Sequence, residues 1–114
     1  MTAFRILLVT LTMALAAYTV IVVMEHGLGL FPIFFGDIAA MGWPGQFNAD
    51  FFCFLTLAGL WLAWRHHFSP GGVVLGLATY VGGAPLVMIY LLIQSFRADG
   101  DMRVILLGAR RAAA

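Results

Sequence analysis

Three long stretches with almost no charge constrain the fold of this chain more than any other feature. The first, Ile6 to Met24, carries no charged residue at all, and two further apolar stretches cover 47–65 and 71–96. A membrane-spanning helix needs about 20 mainly apolar residues. We therefore predict an all-α membrane protein, a single domain over 1–114 with three transmembrane helices at about 6–24, 47–65 and 71–96.

Composition supports lipid as the solvent. The chain is 63% hydrophobic and 10% charged, whereas a soluble domain carries about 25% charged residues. So much apolar surface cannot be hidden inside a core of this size. The net charge of +1 also argues against a nucleic-acid partner, which favours a basic patch.

The connector between the first two helices, residues 27–46, is itself apolar and aromatic. Gly27, Gly29 and Pro32 interrupt the helix, 33–41 can form a short helix, and Gly42-Trp43-Pro44-Gly45 is typical of a turn. The aromatic side chains match the belt found at membrane–water interfaces: Phe31, Phe34, Phe35, Trp43 and Phe47. We predict an interfacial or shallow re-entrant cap.

The third predicted span combines a helix-start signal, Ser69-Pro70, with a central Gly82-Gly83-Ala84-Pro85 that predicts a kink. Small residues occupy one face of this helix: Gly72, Gly76, Thr79 and Gly83. Such a stripe lets another helix approach closely, either within this chain or in a homodimer. After the span, residues 102–107 predict a short amphipathic C-terminal turn.

Three straight spans would bring most acidic side chains and the end of the third helix to the same end of the bundle. Acids at membrane depth are costly unless they are paired or hydrated. We therefore predict a polar cluster in which Asp50 pairs with Arg97, acting either as a site for a small ligand or proton or as a structural ion pair. Its members are Glu25, His26, Asp37, Gln46, Asn48, Asp50, Gln94 and Arg97.

The histidines do not predict a metal or haem site. His26 follows the first span whereas His66 and His67 follow the second, which places them about 30 Å apart across a bilayer. The sequence also has no glycine-rich phosphate loop and no Cys/His pair at ligand spacing. We predict no catalytic residue, metal or cofactor from this chain.

Two arguments about membrane orientation disagree. On the three-span prediction, the tail side carries four arginines and the N-terminal side carries two, which favours a cytoplasmic tail. Arg5, however, precedes the first helix, and the loop that follows this helix has no Lys or Arg. We predict a cytoplasmic N-terminus on this second argument.

Two segments resemble a family of small bacterial three-helix membrane proteins classed as a domain of unknown function: HGLGLFPIFFGDIAAMGWPGQFNADFFCFLTLAGLWLAWRHHFSP and YLLIQSFRADGDMRVILLG. The matching elements are Pro32 with Phe34-Phe35, Asp50 at the opening of the second helix, and Tyr90-Leu91-Leu92. The resemblance implies a three-helix architecture and a bacterial inner membrane, and it implies no activity.

These features predict a non-catalytic binding or accessory module in the lipid bilayer, either as a homo-oligomer or beside a larger membrane protein. The alternative is a subunit of a membrane-embedded enzyme that acts on a lipid-like or isoprenoid substrate. Heterodimeric membrane cyclases are of similar size, but the sequence lacks the Pro-x-Glu-Glu acid pair that they carry in a helix.

Overall fold

The computed structural model describes all 114 residues and consists of helices joined by short turns. There are six helices: α1 (Thr2–His26), α2 (Leu30–Ala40), α3 (Trp43–Arg65), α4 (Pro70–Arg97), α5 (Met102–Leu107) and α6 (Ala109–Ala113). Three of them, α1, α3 and α4, are long and apolar enough to cross a membrane. The predicted all-helical class and the predicted number of long apolar helices are confirmed.

The turns around α2 follow from local backbone chemistry. Gly27 ends α1 with φ = 75°, and Met41 ends α2 in the left-handed conformation. Helix α3 then begins at Trp43, with Pro44 in its first turn, where proline is well tolerated because this turn has no hydrogen-bond acceptor for its missing N–H. The predicted turn at 42–45 is therefore wrong in part: the reversal lies at Met41 and Gly42, and α3 begins four residues earlier than predicted.

Helix α4 changes direction at its centre. It begins with Ser69, whose hydroxyl accepts a 3.1 Å hydrogen bond from the Gly72 amide. The helical geometry is then broken at Gly83, with φ = 61° and ψ = −149°, a conformation that glycine adopts at little cost. Pro85 follows and cannot donate a backbone hydrogen bond. The predicted kink is confirmed, and it divides α4 into a first limb (70–82) and a second limb (84–97).

The first limb packs antiparallel to α3 at very short range. A Cβ on Gly59 would lie 2.6 Å from the Gly76 carbonyl oxygen, and a Cβ on Gly76 would lie 2.5 Å from that of Gly59. The buried Thr79 hydroxyl lies 3.3 Å from the Leu55 carbonyl oxygen. The predicted stripe therefore serves contacts within the chain through Gly72, Gly76 and Thr79, while Gly83 forms the bend.

The second limb returns along α3 toward the end from which α4 began. Gly83 lies at the level of Phe51: a Cβ added to Gly83 would be 3.5 Å from the Cζ atom of the Phe51 ring. Further on, the Tyr90 ring lies 6.0 Å from that of Trp61, and Gln94 contacts Arg65. Each limb is about 20 Å long at 1.5 Å per residue, less than the roughly 30 Å of a bilayer core. The prediction that the third helix runs from one end of the bundle to the other is wrong.

This fold-back separates the charges of the chain. All six arginines lie at one end of the molecule, which we call the arginine end: Arg5, Arg65, Arg97, Arg103, Arg110 and Arg111. Asp99 and Asp101 lie there too, so its formal charge is 6 − 2 = +4. The opposite, acidic end has Glu25, Asp37 and Asp50 and no basic residue other than His26, a formal charge of −3.

Helix α1 packs along only half of its length. Residues that are at least partly buried lie on one face of its first half: Phe4, Arg5, Leu8, Thr12 and Leu15. This face contacts α4. From Ala16 to His26 every residue is exposed, because the second limb of α4 does not extend to the acidic end.

Candidate functional site

Six of the eight predicted cluster residues lie at the acidic end, on three different helices. Glu25 and His26 end α1, Asp37 lies on α2, and 46, 48 and 50 lie in the first turns of α3. The Asn48 amide donates a 3.2 Å hydrogen bond to the Phe34 carbonyl oxygen and so fixes α2 on α3. No hydrogen bond joins two members of the predicted cluster, and the one close contact between members is that of Glu25 with its neighbour His26.

The predicted ion pair between Asp50 and Arg97 is wrong. Arg97 ends the second limb at the arginine end, beside Ser95 and Phe96, which contact Arg5. Gln94 is buried at that end as well. One acid–histidine contact occurs in the chain, between the neighbouring Glu25 and His26 at 3.9 Å, and both side chains are largely exposed. The physical reason for the error is the reversal at Gly83.

Close backbone contact sets the position of Asp37. Gly45 lies against the backbone of Asp37 and Ile38 so tightly that any side chain there would overlap the Asp37 carbonyl group. Helices α2 and α3 therefore cross at Gly45, and the partly buried Asp37 is placed at that crossing. Asp50 lies five residues, about 7.5 Å, further along α3 at 1.5 Å per residue and is exposed.

The most extensive polar network in the chain surrounds Arg65, which the sequence analysis did not select. This last residue of α3 is buried, with 8% of its surface exposed. Its Nε donates to the Ile105 carbonyl oxygen at 2.7 Å, its Nη1 to the Tyr90 hydroxyl at 2.7 Å, and its Nη2 to Gln94 Oε1 and the Val104 carbonyl oxygen, both at 3.2 Å. Four of its five N–H groups are thus engaged.

No carboxylate lies within ion-pair distance of Arg65, so dipoles stabilise its charge. Val104 and Ile105 belong to α5 (Met102–Leu107), whose last carbonyl groups lack partners within the helix. The negative end of a helix dipole favours a cation. Arg65 therefore fastens α5 onto the end of α3 and the second limb of α4.

Tyr90 links Arg65 to His66. The Tyr90 hydroxyl oxygen lies 2.6 Å from His66 Nε2. Because arginine can only donate, Tyr90 accepts from Arg65 and its own O–H can donate to a neutral His66 protonated on Nδ1. Partial burial and then the charge of Arg65 lower the pKa of His66 below its ordinary value, which favours this neutral form.

Two more side chains of the arginine end hold the C-terminal helices. Trp61 Nε1 donates a 3.0 Å hydrogen bond to the Leu106 carbonyl oxygen. Arg111 donates to the Trp64 carbonyl oxygen, and its guanidinium carbon lies 3.9 Å from the centre of the Trp64 ring. Residues 102–107, predicted as a short amphipathic turn, form helix α5, and a second short helix follows it.

Arg5 makes the equivalent connection for α1. Its Nε donates to the Ser95 hydroxyl at 3.0 Å and its Nη2 to the Ser95 carbonyl oxygen at 2.8 Å. The guanidinium group also lies 4.0 Å from the centre of the Phe96 ring. These contacts place the start of α1 beside the end of α4.

The chemistry available at the two ends differs. The Arg65 network has its donors engaged and serves as a structural clamp, whereas Arg97 and Arg110 are exposed and make no hydrogen bond with their guanidinium groups. No group of three or more His, Cys, Asp or Glu side chains is arranged to hold a metal ion. The signal that could have identified Arg65 and Tyr90 is Gly83-Ala84-Pro85, if it is interpreted as a reversal of the helix and not as a bend.

Comparison with protein-family models, with curated proteins and with solved structures finds no match to this chain. The resemblance to small bacterial three-helix membrane proteins therefore stays a prediction, and functional inference depends on the geometry of the two ends.

Proposed function

We propose that this protein is a non-catalytic accessory module that packs beside a larger, different membrane protein along the exposed half of α1. The observation that carries this proposal is the absence of any packed neighbour from Ala16 to His26, next to three acidic residues that have no Lys or Arg at their end of the molecule. Only 14 of the 114 residues are buried. The surface is thus much larger than the contacts within this chain cover.

The acids distinguish a protein partner from lipid alone. Lipid tails can cover an apolar helix, but hydrocarbon offers no cation to pair with carboxylates such as Asp37 and Asp50. Carboxylates at membrane depth are costly unless they are paired or hydrated. A partner with Lys or Arg at the acidic end supplies the missing charge and covers the second half of α1.

The arginine distribution argues against a second copy as that partner. Positively charged segments tend to remain on the cytoplasmic side of a membrane, which supports a cytoplasmic location for the arginine end and the N-terminus as part of this proposal. Every copy then inserts in the same direction, and two parallel copies bring acids against acids, which is unfavourable. A bacterial inner membrane is the location that the resemblance implies.

Site-specific photo-crosslinking in native membranes tests the proposal. A photoreactive residue at Met24, which is 80% exposed, is expected to form an adduct with one heterologous membrane protein. The matched control is Met13 on the packed half of α1, 65% exposed, where we expect no such adduct. The Met24 adduct should decline at least severalfold when Glu25→Gln and Asp50→Asn remove the acids.

Native mass spectrometry of the gently extracted complex supplies the stoichiometry. The proposal requires a larger protein retained at a fixed ratio and released by the same acid substitutions. A crosslinked dimer of this chain contradicts it. A protein that retains only a small lipid-like molecule, lost on Asp50→Asn, also contradicts it and favours a binding module or an enzyme subunit with that substrate.

A further inference from the structure

A groove on α3 lies directly beneath the C-terminal arginines, and its position is independent of the surface proposed for the protein partner. It has a volume of about 380 Å³ and is lined only by apolar side chains: Leu57, Leu60, Trp61, Trp64 and Phe68. These belong to the last turns of α3 and the turn that follows it. The groove is therefore at the arginine end of the molecule.

Phe68 closes one side of this groove because the chain folds back after α3. The Phe68 amide donates a 2.8 Å hydrogen bond to the Ala63 carbonyl oxygen, and both His67 and Phe68 have positive φ, 58° and 53°. The Phe68 ring, about half exposed, thereby lies against the end of α3. This arrangement leaves a shallow, open apolar groove, a surface against which an extended hydrocarbon chain can lie.

The rim of the groove is cationic. Arg111 covers the face of Trp64, with 3.9 Å between the guanidinium carbon and the ring centre. Arg110 is exposed, and its guanidinium group has no hydrogen-bond partner in the chain. Desolvation first, and then the charges of Arg110 and Arg111, lower the pKa of His67, which precedes Phe68. Arg111 therefore lies at the mouth of the groove, and Arg110 precedes it directly in α6.

We propose that this groove binds an anionic phospholipid, with an acyl chain against Trp61 and Phe68 and the phosphate at Arg110 and Arg111. A formal charge of +4 at this end, without any carboxylate in ion-pair distance of an arginine, favours an anionic headgroup over a zwitterionic one. Arginine matches phosphate with two parallel N–H donors. Tryptophan is enriched at the level of lipid headgroups.

Fluorescence quenching by brominated lipids measures occupancy of the groove directly, because two of the three tryptophans line it. Trp43, at the acidic end, is first removed by Trp43→Phe, and the protein is reconstituted in phosphatidylcholine vesicles. We expect brominated phosphatidylglycerol to quench the fluorescence with a binding constant at least fivefold higher than that of brominated phosphatidylcholine, since one basic residue near a membrane surface contributes about that factor.

Two substitutions that each remove one positive charge complete the design. Arg110→Gln removes an exposed side chain without internal contacts and is expected to bring the ratio of binding constants down by about fivefold. Arg97→Gln removes the same charge from the end of α4 and should leave the ratio within twofold of the parent. Equal quenching by the two lipids overturns the proposal, and so does an equal loss in both variants, which indicates a diffuse surface effect.

Discussion

The last residue of α3, Arg65, donates a 2.7 Å hydrogen bond to the hydroxyl of Tyr90 in the second limb of α4. In the first limb, Gly76 lies opposite Gly59 of the antiparallel α3. If α4 continued straight past Gly83, Tyr90, which is 14 residues after Gly76, would lie opposite Gly45, which is 14 residues before Gly59. That position is about 30 Å from Arg65 at 1.5 Å per residue. The contact between Arg65 and Tyr90 is therefore possible only because α4 reverses at Gly83, which brings the second limb to the arginine end.

Removing the Tyr90 hydroxyl tests the clamp. Tyr90→Phe leaves Arg65 Nη1 and His66 Nε2 without their shared partner. Since an unsatisfied buried donor costs about 1–3 kcal/mol, we expect the free energy of unfolding in mild detergent to fall by about that amount. Tyr18→Phe is the control, because Tyr18 is 70% exposed and its hydroxyl makes no hydrogen bond within the chain. Equal stability of the two variants would show that the clamp contributes nothing.

The close approach of α3 and the first limb predicts a sharp difference between two glycines. In Gly59→Ala the new Cβ lies 2.6 Å from the Gly76 carbonyl oxygen, a backbone atom that cannot move without separating the helices. We expect a loss of about 1–3 kcal/mol, typical of overpacking, measured by thermal unfolding. Gly71→Ala meets nothing within 4 Å and should be neutral; similar losses in both would contradict the packing described.

The two histidines after α3 predict how stability depends on pH. The folded state holds the pKa of His66 below its ordinary value of 6.5, so it binds fewer protons than the unfolded state as the pH falls. The stabilisation is complete above pH 6.5 and declines as the pH decreases below that value. His67, whose pKa is also lowered, contributes in the same direction.

Thermal unfolding between pH 5 and 8 should reveal this dependence. His66→Gln keeps a side chain able to accept from Tyr90 and removes the titrating group. We expect it to weaken the decline in melting temperature at acid pH, whereas Tyr18→Phe should retain the dependence of the parent protein. A decline that is the same with and without His66 would show that other groups cause it.

The reversal of α4 also predicts which termini share a side of the membrane. In a Cys53→Ser background, single cysteines at Thr2 and Ala113 should react with a membrane-impermeant maleimide from the same side, and a cysteine at Gly29 from the opposite side. A third helix that spans the bilayer would instead place position 113 with position 29. Labelling of intact cells and of inverted vesicles distinguishes the two arrangements.

The sequence by itself determined the helical class, the apolar runs and most helix ends. Uncharged stretches of about 20 residues require lipid or protein neighbours, and Gly27, Ser69 and Pro70 mark boundaries by local backbone chemistry. It also located the kink, since Pro85 cannot donate a backbone hydrogen bond. These properties depend on neighbours in the chain, so a linear pattern contains them.

Only the tertiary structure decided the direction of the chain after Gly83 and thereby the location of the predicted cluster. Both limbs of α4 are apolar, so the same pattern suits a straight span and a folded-back pair. The positive φ of one glycine redirects the residues after it, and the outcome depends on contacts between distant residues such as Arg65 and Tyr90. For that reason Asp50 and Arg97, which the linear pattern placed together, lie at opposite ends of the molecule.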